Sequence, residues 1–129
     1  MLELSAAARA VAAEPVLRLA VATLQREACR LTRAQEATVV TFDWSNHTAW
    51  TLDGSLVSSE MRTLVARVAG SGQREVTGHA MIEPIGGAPA RAVLTLRRAA
   101  GDRFEPHDVA LVTALAGSVA ATINRLLAT

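Results

Sequence analysis

The spacing of the apolar residues changes twice along this chain. Between about Pro15 and Arg33 they recur at steps of three and four residues, which places one side of a helix against a core: Leu17, Val21, Leu24, Ala28 and Leu31. From Val40 the apolar and polar residues alternate, as in a strand with two different faces. After Glu105 the helical spacing returns. Helices at both ends of a stretch of strands predict an α+β domain.

The first predicted strands form a hairpin. Val40, Phe42 and Trp44 alternate with polar neighbours, residues 45–47 supply the turn, and a second strand runs from Thr48 to Leu52. Asp53-Gly54 then predicts another turn. Trp44 and Trp50 are expected on the core side of the hairpin, although an exposed tryptophan here would suggest a partner surface.

A short helix and two further strands are predicted next. Ser58 or Ser59 caps the helix, and Gly70-Ser71-Gly72 ends it after an apolar stripe made by Met61, Leu64, Val65 and Val68. Strands follow at about 76–85 and 90–97, joined by a turn at 86–89. Gly78 is expected to split the first of them with a bulge or a turn.

The last predicted helix begins near Glu105, because Pro106 suits a first helical turn and acidic groups favour a helix start. One apolar face is formed by Val109, Val112, Ala116, Val119, Ile123 and Leu126. A second apolar set widens the stripe beyond what one sheet surface requires: Leu111, Leu115, Ala121 and Leu127. The width predicts a second packing partner.

Size and composition narrow the class of protein. The 129 residues, half of them apolar, suit one domain, predicted over 15–129 after a leader or short helix at 1–14. Cys29 is the only cysteine, so no intrachain disulfide or multi-thiolate zinc site can form. The net charge of +1 is spread without a basic stripe, which argues against nucleic-acid binding. No secretory signal and no apolar run of about 20 residues stand out, so we expect a soluble cytoplasmic protein.

Segments in the last third of the chain resemble a known family. They are Met81–Ile85, a glycine turn, Ala92–Leu96, Phe104–Asp108 and Ala110–Ala116, followed by the run from Val119 to Asn124. Together they resemble the end of a GAF domain. All thirteen basic residues are arginine and alanine is abundant, a bias typical of a GC-rich bacterial genome. A small bacterial regulatory or sensory GAF domain is therefore expected.

The resemblance implies a PAS- and profilin-related fold, in which a central antiparallel sheet has the N- and C-terminal helices packed on one face and a small-molecule pocket commonly on the other. A roadblock- or PAS-like interaction domain shares this outline and stays an alternative. Only about twenty residues separate Gly54 from Val76, where ligand-binding relatives carry more structure, so the pocket is expected to be small or absent.

Residues with catalytic potential do not form a recognisable active site, and no enzyme activity, metal or cofactor is expected. Cys29 could be a reactive thiol, but a single helical cysteine is more often a packing residue. His47, His79 and His107 have no metal-ligand spacing. His107 and Asp108 are adjacent on a helix, so their side chains cannot meet as a catalytic pair.

Polar residues on the predicted sheet are the candidate ligand site. Thr41 and Asp43 alternate with bulky neighbours on one strand, as Thr95 and Arg97 do on another, and if these strands are adjacent Asp43 and Arg97 could pair. With His79 and Glu83 they form the predicted ligand-binding set. The alternative is a thinly covered face whose charges meet water.

Two functions follow as expectations. The first is a regulatory module that interacts with a signalling partner and dimerises through its first and last helices, as GAF domains often do. The predicted interface consists of Leu17, Leu24, Leu111, Leu115, Ile123 and Leu127. The second is a sensor whose small-molecule ligand shifts the dimer between two states.

Overall fold

The computed structural model describes residues 2–52 and 57–128 of the chain. Within them the chain forms an α+β domain, and the elements follow in this order: α1 (Leu2–Ala12), α2 (Leu17–Thr32), β1 (Glu36–Asp43), β2 (Thr48–Thr51), α3 (Ser59–Ser71), β3 (Glu75–Thr77), β4 (Ala80–Pro84), β5 (Ala92–Arg97) and α4 (Pro106–Leu127). The α+β class and the order of elements predicted from the sequence are confirmed. The predicted turn at Asp53-Gly54 lies outside the described residues.

The strands form one antiparallel sheet in the order β2-β1-β5-β4-β3. β1 and β5 lie in the middle, where Val40 is opposite Val93 and Glu36 is opposite Arg97. The predicted strand at 76–85 is divided at Gly78, whose φ of 58° makes the turn between β3 and β4. Of the two alternatives for Gly78, the turn is correct.

One side of the sheet, which we call the helical face, carries the larger core. Val39, Met81 and Leu94 point to this face and pack with α2 and α4. Helix α1 packs in turn against α2 and α4, and buries Leu4 and Val11 in the same core. The sequence left residues 1–14 as a leader or a short helix, and the helix is what forms.

The second apolar set on α4 has its partner within the chain. Leu115 is buried in the core that α1 shares with α2 and α4, while Leu111 and Leu127 are half-buried and Ala121 is exposed. Helix α1, which packs on α4, therefore accounts for only part of the extra apolar width.

By length and composition alone, α4 could cross a membrane, contrary to the expectation from the sequence. In the folded chain the apolar side of α4 packs against α1, α2 and β4, as in the core helix of a globular domain.

The opposite side, the α3 face, is covered by α3 and has a smaller core. Val40, Phe42 and Val93 point to it and pack with Val65 and Val68 of the helix. Ser58 caps α3 by accepting a hydrogen bond from the backbone N–H of Met61, as predicted for Ser58 or Ser59. Gly72 ends the helix with a φ of 72°, a conformation that favours glycine.

The two tryptophans lie on different sides of the hairpin. Trp44 packs edge-on against Phe42 on the α3 face, and its indole N–H donates to the carbonyl of Ala90 at 2.9 Å. Trp50 is opposite Thr41 and is 37% exposed, so the expectation that both tryptophans lie on the core side is wrong for Trp50.

Candidate functional site

A partly open cavity of about 210 Å³ lies between α3 and the sheet. Met61 and Leu64 line it from the helix, and Ile82 and Thr95 line it from β4 and β5. The complete lining is Glu36, Met61, Leu64, Arg67, Glu75, Thr77, Ala80, Met81, Ile82, Thr95, Leu96 and Arg97. The expectation from the sequence was a pocket that is small or absent, and the family resemblance implied the face opposite the terminal helices; a small cavity is present on that face.

Among residues 2–52 and 57–128, α3 is the one helix that covers this face of the sheet, and the cavity lies at one side of that helix. The helix is 13 residues long and half-buries Met61 and Leu64 while its Val65 and Val68 are fully buried. The deeper part of the α3 face is therefore close-packed, and the space lies on the side where Met61, Leu64 and Arg67 meet the sheet.

Two ion pairs flank the cavity. The Arg67 guanidinium of α3 donates to both carboxylate oxygens of Glu75 at 2.7 and 2.6 Å, and these hydrogen bonds hold the pKa of Glu75 below its usual value. Arg97 donates to Glu36 at 2.5 Å, across the register of β5 and β1. All four charged side chains of the lining therefore have a partner of opposite sign.

The structure does not bring the predicted ligand-binding residues together. Thr95 and Arg97 line the cavity on the α3 face. Thr41 and Glu83 point to the helical face, because they alternate with Val40, Phe42 and Ile82 of the α3 face. His79 is exposed in the turn between β3 and β4.

The predicted Asp43–Arg97 pair is wrong. The strands that carry these residues are neighbours, but the antiparallel register places Glu36 opposite Arg97 and Thr48 opposite Asp43. Asp43 instead accepts hydrogen bonds from the backbone N–H of Ser45 and the side-chain amide of Asn46, within the hairpin turn.

The predicted threonines have partners in the backbone of neighbouring strands. The hydroxyl of Thr41 donates to the carbonyl of Trp50 at 3.0 Å, and the hydroxyl of Thr95 donates to the carbonyl of Thr38 at 3.1 Å. Both contacts hold adjacent strands together.

Glu83 occupies a buried polar cluster at the edge of the sheet. It is 4% exposed, and its Oε1 accepts hydrogen bonds from Arg74 at 2.8 Å and from the Thr113 hydroxyl of α4 at 3.2 Å. Sequence reasoning identified Glu83 but missed Arg74 and Thr113, since no spacing rule links Glu83 to positions 9 and 30 residues away.

A second polar cluster lies at the start of α4. Asp108 accepts from the backbone N–H of Glu105 at 2.9 Å, which confirms the helix start predicted there. Arg98 lies 3.2 Å from the Asp108 carboxylate and also donates to the carbonyl of Thr32. Its guanidinium stacks 5.0 Å from the centre of the Phe104 ring. The cluster joins the end of α2 and the strand β5 to the start of α4.

Residues with catalytic or metal-binding potential lie apart. Cys29 is half-buried against the larger core, and burial, followed by the negative charge of Glu36, raises the pKa of its thiol. His47, His79 and His107 are exposed. Among residues 2–52 and 57–128, no group of three or more potential metal ligands lies together.

Half of the predicted dimer-interface residues are core residues of the single chain. Leu24, Leu115 and Ile123 are each at most 1% exposed. A contact with a second subunit through these three side chains would require the core to open, so they are wrong as interface residues. Leu17, Leu111 and Leu127 are half-buried and stay candidates.

Neither a protein-family model nor a curated protein sequence matches this chain. Solved structures do match. The GAF domain of a phosphoenolpyruvate-protein phosphotransferase from Coxiella burnetii aligns with a TM-score of 0.79 and 15% identity, over 98% of this chain and 93% of that one. The corresponding Acinetobacter GAF domain aligns with a TM-score of 0.74 and 10% identity, over 98% and 93%.

A third similar structure is the GAF domain of the potassium sensor histidine kinase KdpD from Escherichia coli. It aligns with a TM-score of 0.72 and 16% identity, over 98% of this chain and 94% of that one. The alignments extend over nearly the whole of this chain and of each solved GAF domain. This chain therefore has the fold of a GAF domain.

Proposed function

We propose that this chain is a regulatory GAF domain that senses a small molecule in the cavity beneath α3. The cavity itself is the observation that carries the proposal: it has about 210 Å³ of space between apolar side chains of a helix and a sheet. The similar domains described above belong to a phosphotransferase and to a sensor histidine kinase, which supports a regulatory role. The proposed role is regulatory rather than catalytic, in the cytoplasm.

The proposal is tested by native mass spectrometry of the protein purified gently from cells. We expect a reproducible extra mass of one small molecule per chain. Leu64→Trp, which fills the cavity from α3, should remove that mass. Arg62→Trp introduces the same side chain at an exposed position of the same helix and should retain it. A bare wild-type chain, or equal loss in both variants, would contradict ligand sensing in this cavity.

Dimerisation through the helices is a second proposed function, favoured by a different observation. Val16 and Leu19 are 50% and 45% exposed at the start of α2, and paired apolar side chains of this kind are buried in many subunit interfaces. Such a dimer surface lies on the outside of α2, unlike the buried Leu24 that was predicted to form it.

Light scattering at several protein concentrations tests the dimer. We expect a dimer mass for the wild type and a folded monomer for Leu19→Arg, because a buried unpaired charge opposes association. Arg18→Ala removes a side chain at a neighbouring exposed position without adding a charge and should leave the dimer intact. A wild-type monomer at all concentrations would remove this proposal.

A further inference from the structure

We infer that the cavity beneath α3 takes an uncharged, mostly apolar molecule with about eight non-hydrogen atoms. This inference rests on the proposed sensing function and names the chemical class of its ligand.

The charges around the cavity are already balanced. Arg67 makes two hydrogen bonds to Glu75, and Arg97 makes one to Glu36. The guanidinium and the carboxylate of each pair cancel in charge, so an ion in the cavity would meet no net charge of opposite sign. Since burying a charge without a partner is costly, the cavity favours a neutral ligand.

The buried part of the cavity wall offers no unpaired polar side-chain atom. Thr95 already donates to the carbonyl of Thr38. Across the described parts of the chain, every buried side-chain nitrogen or oxygen has a hydrogen-bond partner. A strongly polar ligand would lose water at this wall and find no unpaired buried partner there, whereas an apolar ligand loses nothing of this kind.

The volume limits the size of the ligand. An apolar cavity of about 150 Å³ holds one benzene molecule, so the observed 210 Å³ corresponds to about eight non-hydrogen atoms. Met61 lines the wall, and the flexible thioether chain of methionine adapts to ligands of somewhat different shape.

Three probes with the same ring and different charges test the class: toluene, benzoate and benzylammonium. Binding is followed by the NMR shifts of the Met61 methyl group and the Thr95 amide. We expect toluene to bind at least about tenfold more tightly than either ion. Leu64→Trp should abolish the toluene shifts, and Arg62→Trp should leave them.

Benzoate or benzylammonium binding as tightly as toluene would overturn the ligand class, as would the absence of toluene binding. The native mass measurement separates this failure from that of the proposed function. A charged retained molecule would overturn the class but keep sensing, whereas a chain without any retained molecule would remove the sensing proposal itself.

A second inference rests on a different observation, the placement of Arg74 and Glu75. We propose that the edge strand β3 couples α3 to α4. Glu75 is the first residue of β3, and Arg74 directly precedes the strand. Glu75 binds Arg67 of α3 on one side of the sheet. Arg74 binds Glu83 on the other side, and Glu83 accepts the hydrogen bond of Thr113 of α4.

These contacts form a continuous path from α3, which covers the cavity, to the last helix, α4. Glu83 is buried, so a shift of Arg74 changes the only charged partner that the described structure gives its carboxylate. β3 pairs with β4 alone and contains three residues, so this strand can move with less disruption than the central strands.

Hydrogen exchange of the ligand-free protein tests the path. Arg67→Ala frees Glu75, and we expect exchange of the amides at residues 110–116 of α4 to rise by about twofold or more. Arg97→Ala breaks the other ion pair of the cavity, which does not contact Arg74, and should leave these amides unchanged. In an Arg74→Ala background the Arg67→Ala effect should disappear. The coupling would be overturned if Arg67→Ala and Arg97→Ala raised the exchange of these amides equally. It would also be overturned if Arg67→Ala did not change their exchange.

Discussion

The two faces of the sheet differ in how densely their side chains are packed. On the helical face, α2 and α4 pack on the sheet residues Val39 and Leu94, and α1 packs on these two helices in one continuous core. On the α3 face, a single helix of 13 residues covers the sheet and leaves a cavity at one side. The difference indicates that packing on the helical face contributes most of the stability of the fold, whereas the looser packing on the α3 face leaves room for the cavity.

The largest contrast is expected from the same charged substitution on each face. Leu115→Asp places a carboxylate in the helical core, where the wild-type side chain is 1% exposed, and should destabilise the fold by more than about 4 kcal/mol. Leu64→Asp is at the half-buried wall of the cavity and should cost about 1 kcal/mol. Chemical denaturation followed by circular dichroism measures both. Similar losses of stability for Leu115→Asp and Leu64→Asp would contradict this difference between the two faces.

A smaller contrast is expected at the turn between β4 and β5. Gly86 has a φ of 100°, and an added Cβ would lie 2.8 Å from the side-chain amide of Asn124 on α4. Gly86→Ala should therefore destabilise by about 2 kcal/mol, through backbone strain and this close contact. Gly87→Ala is the matched control, because nothing lies within 4 Å of its added Cβ. Equal midpoints of thermal unfolding for Gly86→Ala and Gly87→Ala would contradict the expected strain and close contact at Gly86.

Cys29 reports on the packing of the helical layer without a large change in stability. Burial raises the pKa of its thiol and leaves less thiolate at neutral pH than a free cysteine has, so alkylation by iodoacetamide should be slower in the folded protein than in the denatured chain. A thiol whose pKa is raised by folding stabilises the fold below its unfolded pKa, and this contribution is lost as the pH rises above that value. Alkylation as fast as in the denatured chain would contradict the observed packing.

The smallest effect is expected at the exposed ion pair beside the cavity. Arg67→Ala should leave the unfolding midpoint nearly unchanged, because a solvated pair contributes little. It should raise the pKa of Glu75 towards its ordinary value, as measured by NMR titration. With Arg67 present, the lowered pKa gives a stabilisation that exists above the unfolded pKa of Glu75 and is lost as the pH falls. A Glu75 pKa that does not respond would contradict the observed hydrogen bonds.

Most of the fold could be predicted from the chain because its elements depend on local rules. The steps of three and four residues predicted α2 and the buried face of α4, and alternation predicted β1 and β5. Ser58 and Gly72 marked the ends of α3 through capping chemistry. The segment before Pro15 was left open, because a short alanine-rich stretch is helical only when it has a surface to pack on.

The candidate site was predicted less well. Thr95 and Arg97 do line the cavity, but Thr41, Asp43 and Glu83 do not, because alternation identifies two faces and cannot tell which face a given helix covers. Met61 and Leu64 were predicted as apolar residues of α3, and their pattern is the same for a filled core as for a cavity wall.

The sequence by itself determined where the helices and strands lie, since these follow from the hydrophobic period, the caps and the glycine turns. Only the tertiary structure decided which distant residues meet: Arg97 with Glu36, Arg74 with Glu83, and α1 with the second apolar side of α4. The physical reason is that strand register and helix packing are set by the combined burial of many side chains. A local pattern predicts whether a residue is buried or exposed, but the packing of the whole fold determines which distant residue it contacts.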